Sequence, residues 1–169
     1  NFSLRISLSA DTKEGGAADN SGLSNPKKPQ SADDAWEGSY VNFGTWNKAP
    51  LKWRVLNNNG AELLLMTDES VGEYPYRHVD TLPLLSSEHT WEKSTLRSWL
   101  NNDFIKAAFN DVEQNALKIN VVENGYTASK DFDSGPTTYD KVYILSATEV
   151  LNPNYGFWSD ADNSKSRAF

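Results

Sequence analysis

Apolar and polar positions alternate strictly at the start of the chain. Phe2, Leu4, Ile6 and Leu8 fall on one side, and Ser3, Arg5, Ser7 and Ser9 on the other. That period of two predicts a half-buried strand over residues 1–10. Residues 11–35 lose all periodicity and fill with Gly, Ala, Ser, Asn, Asp, Lys and Pro. Such a composition buries too little apolar surface to order itself, so it reads as a flexible linker. The first strand then either returns to its own domain across the gap or serves a neighbour.

Periodicity resumes at Trp36, and residues 36–169 read as one domain. Ser39 to Trp46 predicts a strand. Leu51, Trp53 and Val55 alternate with Lys52 and Arg54, predicting a strand with one dry face, and Leu63 to Met66 is a continuous apolar run suited to a central partner. Between them, Asn57-Asn58-Asn59-Gly60 supplies residues that tolerate positive φ, the strongest hairpin signal in the chain.

In Thr90 to Leu100, Ser94 is a natural N-cap, and Leu96, Trp99 and Leu100 share one helical face. Asn101-Asn102-Asp103 then breaks the helix, and Phe104 to Phe109 resumes it. Asn110 with Glu113, and Ser146 with Glu149, have capping-box spacing and predict two short helices. Strands are expected at Ile119 to Val122 and Lys141 to Leu145, separated by a polar loop. Short helices set among antiparallel strands define an α+β domain.

Composition removes several classes of function. The 169 residues carry a formal charge of −7 and no basic stripe, so the footprint of a nucleic-acid binder is missing. With no cysteine there is no disulfide framework, thiolate metal site or Cys nucleophile, and two histidines cannot build a multi-His centre. No apolar run approaches the ~20 residues of a membrane span. A start at Asn1 without Met is what a processed or excised fragment would show.

Four segments, taken in order, carry a resemblance: Tyr40-Val41-Asn42-Phe43-Gly44, Leu51 to Leu56, Thr90 to Asn101 with its Ser-Thr-Leu-Arg-Ser-Trp-Leu-Asn core, and Asp140 to Ser146. Together they resemble an uncharacterised domain of secreted and surface proteins of Gram-positive bacteria. That domain is similar to the C-type-lectin-like fold of formylglycine-generating enzymes and of the variable proteins of diversity-generating retroelements. The resemblance implies a lectin-like α+β scaffold, incomplete in this chain, because family members run on past the position of Phe169 into a second half that carries the ligand surface. It implies a second polypeptide or segment completing the domain. It does not extend to formylglycine chemistry, which needs cysteines.

Candidate chemistry is sparse. Asp160, Asp162 and Ser164 alternate as the first ligands of a calcium loop do, but Lys165 stands where the turn glycine belongs and no Glu occupies position twelve. A solvated polar loop is the stronger reading, and no cofactor is expected. Asp131 and Asp133 form a weaker version. His78 and His89 lack a spacing that would guarantee an acid–base pair, and Ser94 and Ser146 read as caps rather than nucleophiles.

Aromatic residues, at 12% of the chain, are the better lead. Trp46, Tyr74, Tyr76, Tyr126, Tyr139, Tyr155 and Trp158 lie in or beside expected loops, where an exposed ring can stack on a sugar or anchor a protein. The plainer reading plugs most of them into an irregular core. The sequence as a whole reads as a non-enzymatic, extracellular or surface-exposed module that binds a carbohydrate or protein. The rival reading is an assembly module whose first strand augments a neighbour's sheet.

Overall fold

A computed structural model describes residues 2–9, 20, 22–77, 89–124 and 135–159. Among the described residues, seven strands form two antiparallel sheets. They are β1 (Leu4–Ser9), β2 (Tyr40–Trp46), β3 (Ala49–Asn58), β4 (Glu62–Thr67), β5 (Asn120–Val122), β6 (Thr138–Asp140) and β7 (Val142–Ile144). The larger sheet runs β2-β3-β4-β1-β7, and β5 pairs with β6 in a separate ribbon. Helices α1 (Thr95–Trp99), α2 (Ile105–Ala108) and α3 (Asp111–Ala116) complete an α+β domain.

The first strand is more central than its pattern predicts. β1 lies between β4 and β7 of its own chain, with Ile6 opposite Leu65 on one side and Val142 on the other. Leu4, Ile6 and Leu8 enter the main core with Trp53, Val55, Leu65, Leu100 and Phe104. The opposite face is closed as well: Arg5 and Ser7 are buried. The strand is therefore dry on both faces, and both of its edges are paired, leaving no free edge for a neighbour's sheet.

A row of cross-strand partners explains how polar side chains can fill that second face. Tyr40 stands opposite Arg54, Arg54 opposite Met66, Met66 opposite Arg5, and Arg5 opposite Tyr143. Each guanidinium is charge-paired and covered by a ring. Arg54 meets Asp68 at 2.7 Å and Trp36 at 5.1 Å, and Arg5 meets Glu149 and lies 5.1 Å from Tyr143 and 5.4 Å from Tyr155. A smaller core of Trp36, Leu56, Leu64, Met66 and Phe157 packs on the same face. β3 thus has two dry faces rather than the one expected, since Arg54 and Leu56 are buried as well as Trp53 and Val55.

The expected linker is only partly described, and the described part is fastened. Asn58 donates to the carbonyls of Asn20 and Leu23, Ser39 Oγ accepts from Ser24 N–H, and Lys27 N–H reaches Glu37 O. Pro26 is buried. Side-chain amides and hydroxyls here do the work of a ladder, a use of Asn and Ser that apolar periodicity cannot register.

The helical region also differs from expectation. Ser94 caps α1 through Arg97 N–H, as its position predicts. Asn101-Asn102-Asp103, however, does not break the helix: residues Leu100–Phe104 form a π-helical turn that runs into α2. The Asn101 and Asn102 amides donate to the carbonyls of Arg97 and Ser98, four residues back. They take up acceptors of the regular ladder, which favours the wider turn.

Candidate functional site

The wider turn sets the spacing of the aromatic side chains. Trp99 and Phe104 are five residues apart and point well apart on an α-helix, yet across the π-helical turn their rings lie 5.4 Å apart. Trp46, at the end of β2, packs on both, at 5.8 Å from Trp99 and 4.8 Å from Phe104. Tyr74 stacks on Trp99 at 4.4 Å with the planes 12° apart. A train of ring contacts thus leads from fully buried Trp53 through Phe109 and Phe104 to half-buried Trp99 and Tyr74.

Residues 71–77 are held over the N-terminal end of α1. Trp46 Nε1 donates to Val71 O at 3.0 Å, Leu96 N–H to Tyr76 O at 3.2 Å, and Thr95 Oγ1 to the Pro75 and Tyr76 carbonyls. Tyr76 lies 6.4 Å from the Trp91 ring and stays 38% exposed. Partial burial raises its phenol above the ordinary range.

Beneath this ledge sits a buried carboxylate. Asp140 accepts from Trp91 Nε1 at 2.9 Å, Arg97 Nε at 2.8 Å and Thr138 Oγ1 at 2.7 Å. Asn101 adds a second clamp: its Oδ1 accepts from Lys141 and Val142 N–H while its amide donates to Val142 O. The helix that carries Trp99 is thereby fixed to β6 and β7, which makes the ledge a rigid surface.

Of the residues singled out from sequence, the structure brings Trp46 and Tyr74 together on Trp99, while Tyr76, from the same segment as Tyr74, sits against Trp91. Tyr155 is elsewhere, half-buried against Arg5, its carbonyl accepting from Trp36 Nε1. Trp158 is half-buried next to Phe157 of the smaller core, and Tyr139 lies on β6 rather than in a loop. Tyr126, His78, Asp131, Asp133, Asp160, Asp162 and Ser164 lie outside the described residues. Trp99, assigned by its helical face to the core, does pack against it and, half-buried, is also the hub of the ledge; its five-residue offset from Phe104 was the one signal, legible only once a π-turn is known.

The ledge offers aromatic faces. Ser94 Oγ is occupied as a cap, and Ser146 Oγ is engaged with Glu149. Among the described residues, no group of three or more His, Cys, Asp or Glu could hold a metal ion, and no helix is long and apolar enough to cross a membrane.

Fold and ledge define a small mixed α+β domain: a five-stranded antiparallel sheet, a helical layer and a part-exposed aromatic surface. The chain belongs to the DUF6273 family, a domain of unknown function, whose model matches residues 60–169. No curated protein and no solved structure matches the chain. The matched span begins at Gly60, in the β3–β4 turn, so β1, which completes the sheet between β4 and β7, lies outside it.

Proposed function

We propose that this domain is a non-catalytic ligand-binding module of a secreted or surface-exposed bacterial protein, lectin-like in architecture. Its ligand, a carbohydrate or a protein segment, is received on the ledge of Trp46, Tyr74, Tyr76 and Trp99. The observation that carries this reading is that these rings lie along the short helix α1, Trp46 and Tyr74 on Trp99 and Tyr76 beside Trp91, with Tyr76 still 38% exposed. Rigid rings on a fixed support lose little entropy on binding, which suits them to stacking on a sugar face or an apolar side chain. Any second segment or polypeptide that completes the domain adds to this surface.

The test is titration of the purified chain with a panel of oligosaccharides and displayed peptides, read by tryptophan fluorescence and calorimetry. A binder is expected whose affinity falls at least tenfold in Tyr76→Ala while the thermal midpoint stays within a few degrees. Binding indifferent to Tyr76→Ala and to Tyr74→Ala moves the site elsewhere and ends this reading.

A further inference from the structure

The chain holds two Asn-Gly pairs, Asn59-Gly60 and Asn124-Gly125. An asparagine followed by glycine is prone to deamidate, because no side chain hinders the next peptide nitrogen when it attacks the amide carbon. Residue type alone ranks the two pairs equally. Their surroundings do not.

Asn59 is held at its oxygen and free at its nitrogen. Its Oδ1 accepts from the N–H groups of Ala61 at 3.0 Å and Glu62 at 2.8 Å. Bonds to the second and third residues onward fold the side chain back over the Gly60 peptide, whose nitrogen is the attacking atom. Two backbone donors on one carbonyl oxygen also polarise it and stabilise the charge that gathers there as the nitrogen adds, as an oxyanion hole does. Nδ2, the leaving nitrogen, has no hydrogen-bond partner among the described residues. Asn59 and Gly60 are both exposed, and a Cβ built at Gly60 meets nothing within 4 Å. The Gly60 N–H does reach Asn58 Oδ1 at 3.0 Å, but that bond is exposed, and solvent competes for the proton. Asn124 is arranged the other way round. Its Nδ2 donates to Pro136 O at 2.8 Å and Val122 O at 3.3 Å, so that side chain is anchored by the group that must leave.

We propose that Asn59 is a site of spontaneous deamidation in the folded protein, and that it reacts ahead of Asn124. The Gly60 nitrogen gives up its proton and bonds to Asn59 Cγ. The Cγ–Nδ2 bond breaks, the nitrogen leaves as ammonia, and a succinimide ring closes. Water then opens the ring at either carbonyl, leaving aspartate or isoaspartate at position 59. One water is taken up and one ammonia released, with no change of oxidation state.

The two products treat the turn differently. Aspartate keeps the oxygen that Ala61 and Glu62 bind. Isoaspartate routes the main chain through Cγ, which lengthens the turn by one atom and removes that side-chain acceptor. The turn is also an anchor: Asn20 Nδ2 donates to Gly60 O at 3.1 Å and Asn58 Oδ1 at 3.3 Å, and Asn58 N–H donates to Asn25 Oδ1. Displacing Gly60 therefore loosens residues 20–25 from the hairpin.

Incubation of the 169-residue chain at pH 8, with peptide mapping by mass spectrometry and an isoaspartyl methyltransferase assay to separate the products, tests this. In native buffer Asn59 is expected to convert at least fivefold faster than Asn124, and in urea the two rates should draw level. Gly60→Ala should slow conversion at position 59 at least tenfold and leave Asn124 unchanged. The isoaspartate fraction should exchange its Asn58 amide hydrogen faster than the unreacted chain. Native conversion that is absent at Asn59, or no faster there than at Asn124, overturns the proposal. A preference for Asn59 that persists undiminished in urea also overturns it, by assigning the preference to sequence neighbours rather than to the turn. Unchanged exchange at Asn58 overturns the loosening of residues 20–25.

Discussion

Trp91 donates its indole N–H to Oδ2 of Asp140 at 2.9 Å, across 49 positions of sequence. Both residues are buried, and the same carboxylate accepts from Arg97 and Thr138. One acidic group therefore joins the residues before α1, α1 itself and the β5–β6 ribbon. A carboxylate in so dry a place is tolerable only because charged and neutral donors surround it.

Removing that carboxylate should be costly. Asp140→Ala leaves the Arg97 guanidinium and the Trp91 N–H without their acceptor, and the expected loss is roughly 3–5 kcal/mol. Urea denaturation followed by tryptophan fluorescence measures it. A loss under 1 kcal/mol would mean that the knot is not what joins helix to ribbon.

Gly44 occupies a second sensitive point. It has φ of 74°, sits where the β2–β3 register shifts, and donates its N–H to Glu113 Oε1. A Cβ built there would lie 2.5 Å from the Phe109 ring and 2.8 Å from the Ala108 carbonyl. Gly44→Ala combines a disfavoured backbone with overpacking, and about 2 kcal/mol or more should be lost. Gly60, also at positive φ but with open space around it, provides the control. Gly60→Ala should cost only the backbone share, about 1 kcal/mol.

Arg5 separates charge from volume. It is buried with Glu149 and two tyrosine rings, and among the described residues its Nε has no hydrogen-bond partner. Arg5→Met keeps most of the packing and removes a buried charge, while Glu149 retains its bonds to Ser146. Because Glu149 is partly exposed and keeps those bonds, the change should cost less than the roughly 3–5 kcal/mol of breaking a fully buried pair, and Arg5→Ala should cost roughly 2–4 kcal/mol more for the cavity it adds. Equal losses in the two variants, compared by denaturant midpoint, would show that the ion pair and not the volume matters.

Acid should act through Asp68. Burial alone would raise its carboxyl, but hydrogen bonds from Lys52 and Arg54 outweigh that and hold it below the ordinary 3.8. A carboxylate lowered on folding contributes stability that is fully present above that value and disappears as pH falls through the lower folded one. Wild type should therefore lose stability more steeply below about pH 4 than Asp68→Asn does. Thermal midpoints of the two proteins between pH 2 and 6 would converge at the acid end; parallel curves would remove Asp68 from the account.

What the sequence determined by itself was local. The Ser94 cap, the Asn110 capping box with Glu113, and the turn at residues 57–60 each close within three or four residues, so residue type and spacing suffice. Alternation placed β1 and β3, and a continuous apolar run placed β4, to within a few residues. The turn joining β2 to β3 went unread because Asn47 and Lys48 adopt positive φ without a glycine to announce it. β6 went unread because Thr-Tyr-Asp inverts the usual pattern.

Only the tertiary structure decided which face of each element is dry, and why polar residues fill some of those faces. Arg5 reads as solvent-facing until β1 is set between β4 and β7, with Glu149, Tyr143 and Tyr155 gathered over it. The ledge likewise depends on a π-turn that Asn101 and Asn102 make with acceptors already inside the helix, and on Tyr74 arriving from a segment 25 residues earlier than Trp99. Burial and ring contact are properties of neighbours distant in sequence, and a one-dimensional pattern carries only the neighbours that lie a turn or a strand away.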